Sequence, residues 1–280
     1  MNTPFRSTIQ THIPWLAGVL EGDGCFGIKT QHNKQSVYYS SYISVQLTDQ
    51  KLLEFIAQLL ETNISTYKHP TQKHWKTVYR TSLHNKEKLA WLLPQLMPFL
   101  SQRRQLKIQE LMQILDPNFV FDATESLFAG CKLPQPFEKD KYSNQVKMLS
   151  ETECQWLTGF LEAEGCLSFD RRSIIPCPRV WIQSTDQDVI AYTSLLLNKS
   201  YCTEKRLTSA NNKVFTVTFQ DFARLHYLFP KFQCYAQGAH LSNYLLESLE
   251  YLNQHKVWKA LPAKTRPRLW PKKGPSKHKK

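Results

Sequence analysis

WLAGVLEGDGC, residues 15–25 of this chain, recurs as WLTGFLEAEGC at residues 156–166. The two copies lie 141 residues apart in a chain of 280 residues, and each has a carboxylate followed by a glycine near its end. A long internal repeat of this kind indicates that one structural unit occurs twice. We therefore expect two similar halves of roughly 100–150 residues, each large enough for its own hydrophobic core.

Both copies have the spacing of a helix, because their apolar residues recur three and four positions apart. Small residues four positions apart leave one side of each helix without bulky side chains: Gly18 and Gly22 in the first copy, Gly159 and Ala163 in the second. Backbones can approach closely along such a side, so we expect the two helices to pack against each other. Gly24 and Gly165 are expected to end the helices.

Asp23 and Glu164 would then lie in the last turns of two closely packed helices. The negative end of each helix dipole opposes a carboxylate there by roughly 0.3–1 kcal/mol, and the two acids repel each other. A divalent cation would relieve both effects. A small number of oxygen ligands, completed by water and phosphate, suits Mg²⁺.

The segments LAGVLEGDG (16–24) and LTGFLEAEG (157–165) resemble the paired signature of the LAGLIDADG homing endonucleases. The resemblance covers about residues 13–252. It implies an α+β fold of two pseudo-symmetric αββαββα repeats, in which two antiparallel sheets form a saddle and the signature helices pack at the interface. An alternative is two amphipathic core helices whose terminal carboxylates are only solvated. For Glu21 and Glu162, a surface or helix-packing role is favoured over catalysis.

Hydrophobic periodicity predicts the same order of elements after each signature helix. The first repeat is expected to have strands at 25–31, 38–48, 64–69 and 75–83 and helices at 49–60, 86–93 and 102–115. The second is expected to have strands at 167–172, 179–185, 201–207 and 214–219 and helices at 186–197, 221–229 and 237–252. Asp49 and Asp186 are expected to cap helices. We divide the chain into a first repeat (1–115), a linker (116–150), a second repeat (151–254) and a basic tail (255–280).

Charge is distributed unevenly along the chain. The formal net charge is +13, but residues 255–280 contain ten lysines and arginines and no acid. This proline-containing tail is expected to be irregular and either to attract polyanions without sequence preference or only to increase solubility. No apolar run approaches the ~18 residues of a membrane span, and no signal peptide is recognisable.

Cysteine usage points to a reducing compartment. The chain has seven cysteines, an odd number, and no CxxC pair. This pattern argues against a disulfide framework and against a structural zinc site. Cys25 and Cys166 occupy matching positions of the repeat and are expected to be small buried side chains.

Polar side chains recur at alternate strand positions, which lie on one face of a sheet. Arg, Lys, Gln, Ser, Thr and aromatic side chains can read base edges from a β-ribbon in the major groove, although a solvated sheet face has the same composition. Because the halves have diverged, the expected partner is a long double-stranded DNA site without true palindromic symmetry. The candidate DNA-binding residues are Lys29, Gln31, Ser40, Tyr42, Ser44, Gln46, Lys76 and Arg80 in the first repeat, and Ser168, Asp170, Arg172, Arg179, Trp181, Gln183, Lys205, Lys213, Thr216 and Thr218 in the second.

The resemblance also implies a metal-dependent reaction. Asp23 and Glu164, with Gly22 and Ala163 before them, would hold Mg²⁺ at the two scissile phosphates. Mn²⁺ is expected to substitute for Mg²⁺. Such ions would activate water on each strand and neutralise charge on the leaving oxygens.

Members of the family also carry a basic residue near the active site. In the segment LMPFLSQRRQ (96–105), Arg103 takes its position, with a surface charge at a helix start as the alternative role. In LFPKFQCYAQ (228–237), Tyr235 takes that position, and Lys231 is an off-register basic substitute. This difference puts a symmetric mechanism in doubt.

Three functions remain open. The presence of both acids favours a monomeric, site-specific DNA endonuclease, encoded by an intron because no intein splicing residues frame the chain. The basic tail suits an intron maturase that binds its own intron RNA. A non-catalytic DNA-binding regulator would be expected to have lost the acids. Because no targeting peptide is recognisable, we expect the protein to act where it is translated, in a chloroplast, a mitochondrion or the bacterial cytoplasm.

Overall fold

Helices and strands follow the same order in the two halves of the chain. The computed structural model describes residues 3–33, 36–68, 76–122, 126–129, 131, 148–170, 176–198, 201–204, 214–220 and 222–260. The first half contains α1 (Thr3–Gln10), α2 (Ile13–Asp23), β1 (Gly24–Asn33), β2 (Ser36–Leu47), α3 (Gln50–Leu60), β3 (Ile64–Tyr67), β4 (Val78–Leu83), α4 (Lys86–Leu96) and α5 (Gln102–Leu115). The second half contains α6 (Glu151–Glu164), β5 (Gly165–Asp170), β6 (Cys177–Ser184), α7 (Gln187–Leu197), β7 (Tyr201–Glu204), β8 (Val214–Phe219), α8 (Phe222–Tyr235) and α9 (Ala239–Ala260).

Each half forms one four-stranded antiparallel sheet. The strand order is β1-β2-β4-β3 in the first sheet and β5-β6-β8-β7 in the second. One face of each sheet is buried under helices, as the alternate residues Ser41, Ile43, Val45 and Leu47 of β2 show. The predicted α+β class with two copies of one repeat is confirmed, and each copy ends in two helices, α4 with α5 and α8 with α9.

The helices α2 and α6 pack against each other backbone to backbone. A Cβ atom added to Gly18 would overlap the carbonyl oxygen of Trp156, and one added to Gly159 would overlap that of Trp15. Only glycine therefore permits this approach at either position. The predicted packing of the two signature helices is confirmed, and it holds their C-terminal ends side by side.

Both helices end at the predicted glycines, in extended backbone. Gly24 has φ −74° and ψ 142°, and Gly165 has φ −71° and ψ 118°. The reason for glycine is space, since a Cβ atom on Gly24 would overlap the carbonyl oxygen of Leu20, and one on Gly165 that of Leu161. The chain therefore passes from each terminal acid directly into the first strand of its sheet.

Residues 3–10 form a helix that the sequence did not predict. Phe5 and Ile9 of α1 are buried. The Phe5 ring lies 5.9 Å from the ring of Trp91 on α4, between ring centres. The helix therefore extends the core of the first repeat beyond the signature.

The predicted linker also contributes to the core. Phe128 is buried, and its ring centre lies 5.6 Å from that of Trp156 and 4.9 Å from that of Tyr192. The backbone N–H of Leu127 donates to the carbonyl of Pro98 in the first repeat over 2.7 Å. This segment therefore contacts both repeats.

The last described helix is longer than predicted. α9 continues to Ala260, past the expected end of the second repeat at residue 254, so the first residues assigned to the basic tail are helical. Residues 261–280 lie outside the described part of the chain. Across the described ranges, no helix combines the length and hydropathy needed to cross a membrane.

The prediction that Cys25 and Cys166 are buried is wrong. Both thiols are exposed. Each cysteine is the second residue of its strand and points to the outer face of the sheet, opposite Ser44 in one case and Trp181 in the other. Strand alternation therefore decides their exposure, despite the low polarity of the side chain.

Candidate active site between the repeats

Asp23 and Glu164 lie at the end of the packed helix pair, one from each repeat. Asp23 is the last residue of α2, and Glu164 is the last residue of α6. Burial raises the pKa of Asp23 to about 7, with a further contribution from the charge of Glu164. Burial also raises the pKa of Glu164, and the guanidinium of Arg104 opposes the rise at both acids. Two such carboxylates at one place form a candidate functional site.

A cavity of about 900 Å³ opens beside Asp23, and we call it the first cavity. Its lining includes Asp23, Gln46, Asp49, Ala163 and His240. Ala163 directly precedes the acid of the other repeat. Polar residues of both repeats therefore surround Asp23.

A smaller cavity of about 270 Å³ lies beside Glu164, and we call it the second cavity. Its lining includes Glu164, Gln183, Asp186, Gly22 and Arg103. Gln183 and Asp186 match Gln46 and Asp49 of the first repeat in their position before and at the start of the following helix. The two cavities are thus pseudo-symmetric versions of one site.

The four residues predicted to hold metal divide between these cavities. Asp23 and Ala163 line the first cavity, and Glu164 and Gly22 line the second. Glycine and alanine can offer only a main-chain oxygen as a ligand. Each cavity therefore combines the carboxylate of one repeat with the backbone of the other.

Arg104 brings a positive charge to the C-terminal end of α2. Its guanidinium donates to the carbonyl oxygens of Gly24 at 2.6 Å, Glu21 at 2.9 Å and Gly22 at 3.2 Å. The side chain is only 14% exposed, and its Nε lies 3.8 Å from the carboxylate of Glu21. The last carbonyls of a helix lack partners within the helix, and Arg104 supplies one. Nothing in the sequence distinguishes this residue from its neighbour Arg103.

The two basic residues predicted from the sequence lie in different places. Arg103 lines the second cavity, where it pairs with Oδ2 of Asp186 at 2.8 Å and is 62% exposed. Lys231 lines neither cavity, and its ammonium lies 5.1 Å from the ring centre of Tyr227. The structure thus brings Arg103, but not Lys231, to the site. Arg104 takes the inward position at the helix ends.

Glu21 and Glu162 are largely buried and hold the starts of two further helices. Glu21 accepts hydrogen bonds from the backbone N–H and the hydroxyl of Ser101, both at 2.8 Å, just before α5. Glu162 accepts from the N–H groups of Gln237 at 2.7 Å and Gly238 at 2.6 Å, just before α9. Burial raises the pKa of each acid to about 7, although these donors act in the opposite direction. Of the two expected roles, the geometry matches helix packing.

The aspartates before α3 and α7 connect the two repeats. Asp49 accepts a hydrogen bond from the N–H of Leu52 at 3.1 Å, which confirms the predicted cap, and another from the N–H of His240 in α9 at 2.9 Å. Asp186 stands at the capping position of α7 but makes no side-chain capping bond. The capping prediction for Asp186 is wrong, because its carboxylate is directed to Arg103 of the other repeat.

The first sheet carries most of its candidate DNA-binding residues on the outer face. The residues at exposed or half-buried outward positions of β1, β2 and β4 are Lys29, Gln31, Ser40, Tyr42, Gln46 and Arg80. Ser44 shares this face but is 5% exposed. Lys76 was predicted to lie on the fourth strand (75–83), but β4 begins only at Val78, and Lys76 lines the first cavity instead. Tyr38 and Ser65 are exposed on the same face and were missed, although alternation along the strands indicates Tyr38.

The second sheet has a similar but less exposed outer face. The half-buried candidates on it are Ser168, Asp170, Arg179, Trp181, Gln183 and Thr218. The guanidinium of Arg179 lies 4.8 Å from the ring centre of Trp181. Thr216 is 6% exposed and forms a 3.4 Å hydrogen bond with the amide of Gln183. Arg172, Lys205 and Lys213 lie outside the described residues.

Comparison with known proteins matches the first repeat to one family. Residues 16–114 match the sequence profile described as LAGLIDADG endonuclease. No curated protein sequence that was compared with the chain matches it significantly.

Solved structures share the fold over 90–91% of this chain. The I-LtrWI LAGLIDADG homing endonuclease bound to target DNA has a TM-score of 0.58 at 19% identity, covering 91% of this chain and 94% of that one. I-GzeII in complex with its DNA target has a TM-score of 0.59 at 13% identity, covering 90% and 93%. I-SmaMI bound to an uncleaved DNA target in the presence of calcium ions has a TM-score of 0.50 at 17% identity, covering 90% and 94%.

Proposed function

From the match of residues 16–114 to the LAGLIDADG endonuclease profile, we propose that the chain is a site-specific endonuclease that makes a metal-dependent double-strand break in a long, asymmetric DNA target. One observation carries the proposal: the two pseudo-symmetric cavities at the ends of α2 and α6, each lined by the terminal acid of one signature helix and by the small residue that precedes the acid of the other. Two such sites in one chain match the two strands of a duplex. The enzyme would therefore act as a monomer, encoded by an intron.

The donor set of each cavity fits a hard divalent cation. Asp23 with Ala163, and Glu164 with Gly22, offer carboxylate and main-chain oxygens. Few protein oxygens, completed by water and phosphate, are what Mg²⁺ prefers, and Mn²⁺ accepts the same ligands. When bound, such an ion lowers the pKa of coordinated water and offsets charge on the leaving oxygen.

The chain's own residues would position DNA and balance charge. The outer faces of the two sheets present polar side chains of the types that read base edges, such as Gln46 and Arg80, which are opposite each other in the first sheet. Arg104 places a fixed positive charge beside both acids, which limits their mutual repulsion. The different sequences of the two outer faces support an asymmetric target.

The ligands of solved structures with the same fold support the proposal further. I-LtrWI and I-GzeII are described in complex with target DNA, and I-SmaMI with DNA and calcium ions. A maturase would use the same scaffold on RNA, but both acids are retained here. An RNA-only role gives no reason for two acid-containing cavities.

A cleavage assay on a large randomised duplex library tests the proposal. The wild-type protein is expected to cut both strands of one long site with Mg²⁺ and to cut nothing in EDTA. Asp23→Asn and Glu164→Gln should each reduce the product to a nick, and the double variant should be inactive. Glu110→Gln is the matched control, because Glu110 is an exposed acid paired with Lys107 on α5. Folded protein that binds DNA but cuts none of the library would overturn the proposal.

A further inference from the structure

The carbonyl oxygens at the ends of the two signature helices are not equivalent. At the end of α2, the carbonyls of Glu21, Gly22 and Gly24 all accept hydrogen bonds from the guanidinium of Arg104. At the end of α6, no described side chain donates to the carbonyl of Ala163, the counterpart of Gly22. The main-chain oxygen that the second cavity could offer is therefore already bound to a cation.

This difference between the two helix ends follows from the residues that come just after the backbone groups held by Glu21 and Glu162. Arg104 lies three residues after Ser101, whose backbone N–H is held by Glu21. The positions three residues after Gln237 and Gly238, which are held by Glu162, are His240 and Leu241. Leu241 is buried, and the backbone of His240 is held by Asp49. Neither residue supplies the second repeat with the equivalent of Arg104.

The position of Arg104 is fixed from several sides. Its guanidinium is held by three carbonyl oxygens and faces the carboxylate of Glu21, while the side chain is only 14% exposed. The Nε atom is buried without a hydrogen-bond partner among the described residues. Release of the guanidinium would therefore leave helix carbonyls to be satisfied by another cation or by water.

From these contacts we propose that Arg104, whose guanidinium is bound to the end of α2, makes the two metal sites differ in affinity. A divalent ion binds first in the first cavity, at Asp23 and Ala163. The second cavity, at Glu164 and Gly22, takes an ion only when Arg104 leaves the Gly22 carbonyl. This inference rests on the proposed metal sites and adds their order of filling, which is set by one residue of the chain.

Titration of the free protein with Mn²⁺, with unbound Mn²⁺ measured by electron paramagnetic resonance, tests the order directly. The wild-type isotherm should contain a tighter and a weaker site that differ about tenfold or more, because Arg104 occupies the main-chain ligand, the Gly22 carbonyl, at only one of them. Asp23→Asn should remove the tighter site, and Glu164→Gln should remove the weaker one. Two wild-type sites of equal affinity would overturn the inference.

Substitution of Arg104 provides a second test of the inference. Arg104→Met should tighten the weaker site about tenfold, because the competing charge is lost. Lys107→Met is the matched control: it removes the same charge from a partly exposed position of α5 that lines neither cavity, where Lys107 pairs with Glu110, and should change the weaker site less than about threefold. Equal effects of the two variants would overturn the inference.

Two further results separate the possible failures. If Arg104→Met does not fold by circular dichroism, the Asp23→Asn and Glu164→Gln isotherms still decide the order, since both keep Arg104. Failure of wild-type protein to bind Mn²⁺, or binding unaffected by either acid substitution, would overturn the metal sites of the proposed function and the inference with them. Intact acid-dependent sites that fill in the opposite order would overturn only the inference.

Discussion

The indole N–H of Trp15, in the first repeat, donates to the carboxylate of Glu162, in the second, over 2.8 Å. Its counterpart Trp156 donates instead to the main-chain carbonyl of Phe99, also over 2.8 Å. Above pH about 7, where Glu162 is ionised, the same tryptophan of the repeat therefore has a charged acceptor in one half and a neutral one in the other. Hydrogen bonds to charged groups contribute more to stability than those between neutral groups.

We expect Trp15→Phe to destabilise the protein more than Trp156→Phe. Both changes remove a similar indole volume from a buried position. The lost hydrogen bond should cost about 1.5–3 kcal/mol at Trp15 and about 0.5–1.5 kcal/mol at Trp156. Urea unfolding of the two variants measures the difference in the free energy of unfolding. Equal losses would show that the charge of Glu162 does not strengthen the bond.

Asp49→Ala should cost more stability than Asp186→Ala. The first change removes two acceptor contacts, one to α3 and one to α9, for a loss of about 2 kcal/mol. The second removes an ion pair whose arginine is mostly exposed, for a loss of at most about 1 kcal/mol. Thermal and urea unfolding would rank the two variants. A larger loss at Asp186 would contradict the assignment of these contacts.

Gly22→Ala should destabilise the helix pair, and Ala163→Gly should partly restore it. A Cβ atom on Gly22 would lie 2.5 Å from the Cβ of Ala163 and 2.8 Å from the Cγ of Glu164. Overpacking of this kind costs about 1–3 kcal/mol. The changes in the free energy of unfolding should be non-additive across the double-mutant cycle, as measured by urea unfolding. Additive losses would mean that the two positions do not meet.

Asp23→Asn is expected to stabilise the metal-free protein above pH about 7. The pKa of Asp23 is raised from 3.8 to about 7, so between these values the folded state keeps a proton that the unfolded chain releases. Stability is therefore lost as the pH rises through this range, and the loss is complete above it, at no more than about 4 kcal/mol. The asparagine side chain does not ionise and avoids this loss.

Urea unfolding in EDTA over the same pH range measures the effect. The difference between Asp23→Asn and the wild type should be small near pH about 4 and grow until pH about 7. Addition of Mg²⁺ should stabilise the wild type more than Asp23→Asn, which keeps only the weaker site at Glu164. A difference that does not vary with pH would show that the pKa of Asp23 is not raised by folding.

The repeat made the fold predictable from sequence. Glycines at positions 18 and 159 are informative because no other residue fits where the two backbones meet. Strand alternation then indicated the outer faces correctly for residues such as Lys29 and Arg80. The exposure of Cys25 also follows from its position on the strand and not from its polarity.

The choice between Arg103 and Arg104 could not be made from sequence. Adjacent residues of a helix point about 100° apart, so the phase of α5 decides which side chain turns inward. That phase is set by Glu21, which holds the backbone of Ser101 from 80 positions earlier in the chain. The contacts of Leu127 with the first repeat and of Phe128 with the second, and the absence of a side-chain cap at Asp186, likewise depend on distant partners.

The direct backbone contact of α2 and α6 has a consequence for how such a protein can evolve. The small residues Gly18, Gly22, Gly159 and Ala163 set the separation of the two helix ends, and none of the residues on the outer sheet faces takes part in that contact. Mutations on the sheets can therefore accumulate without changing the separation of Asp23 and Glu164, so under the proposed function the stagger between the two cuts would stay the same. New targets would be acquired without rebuilding the chemistry.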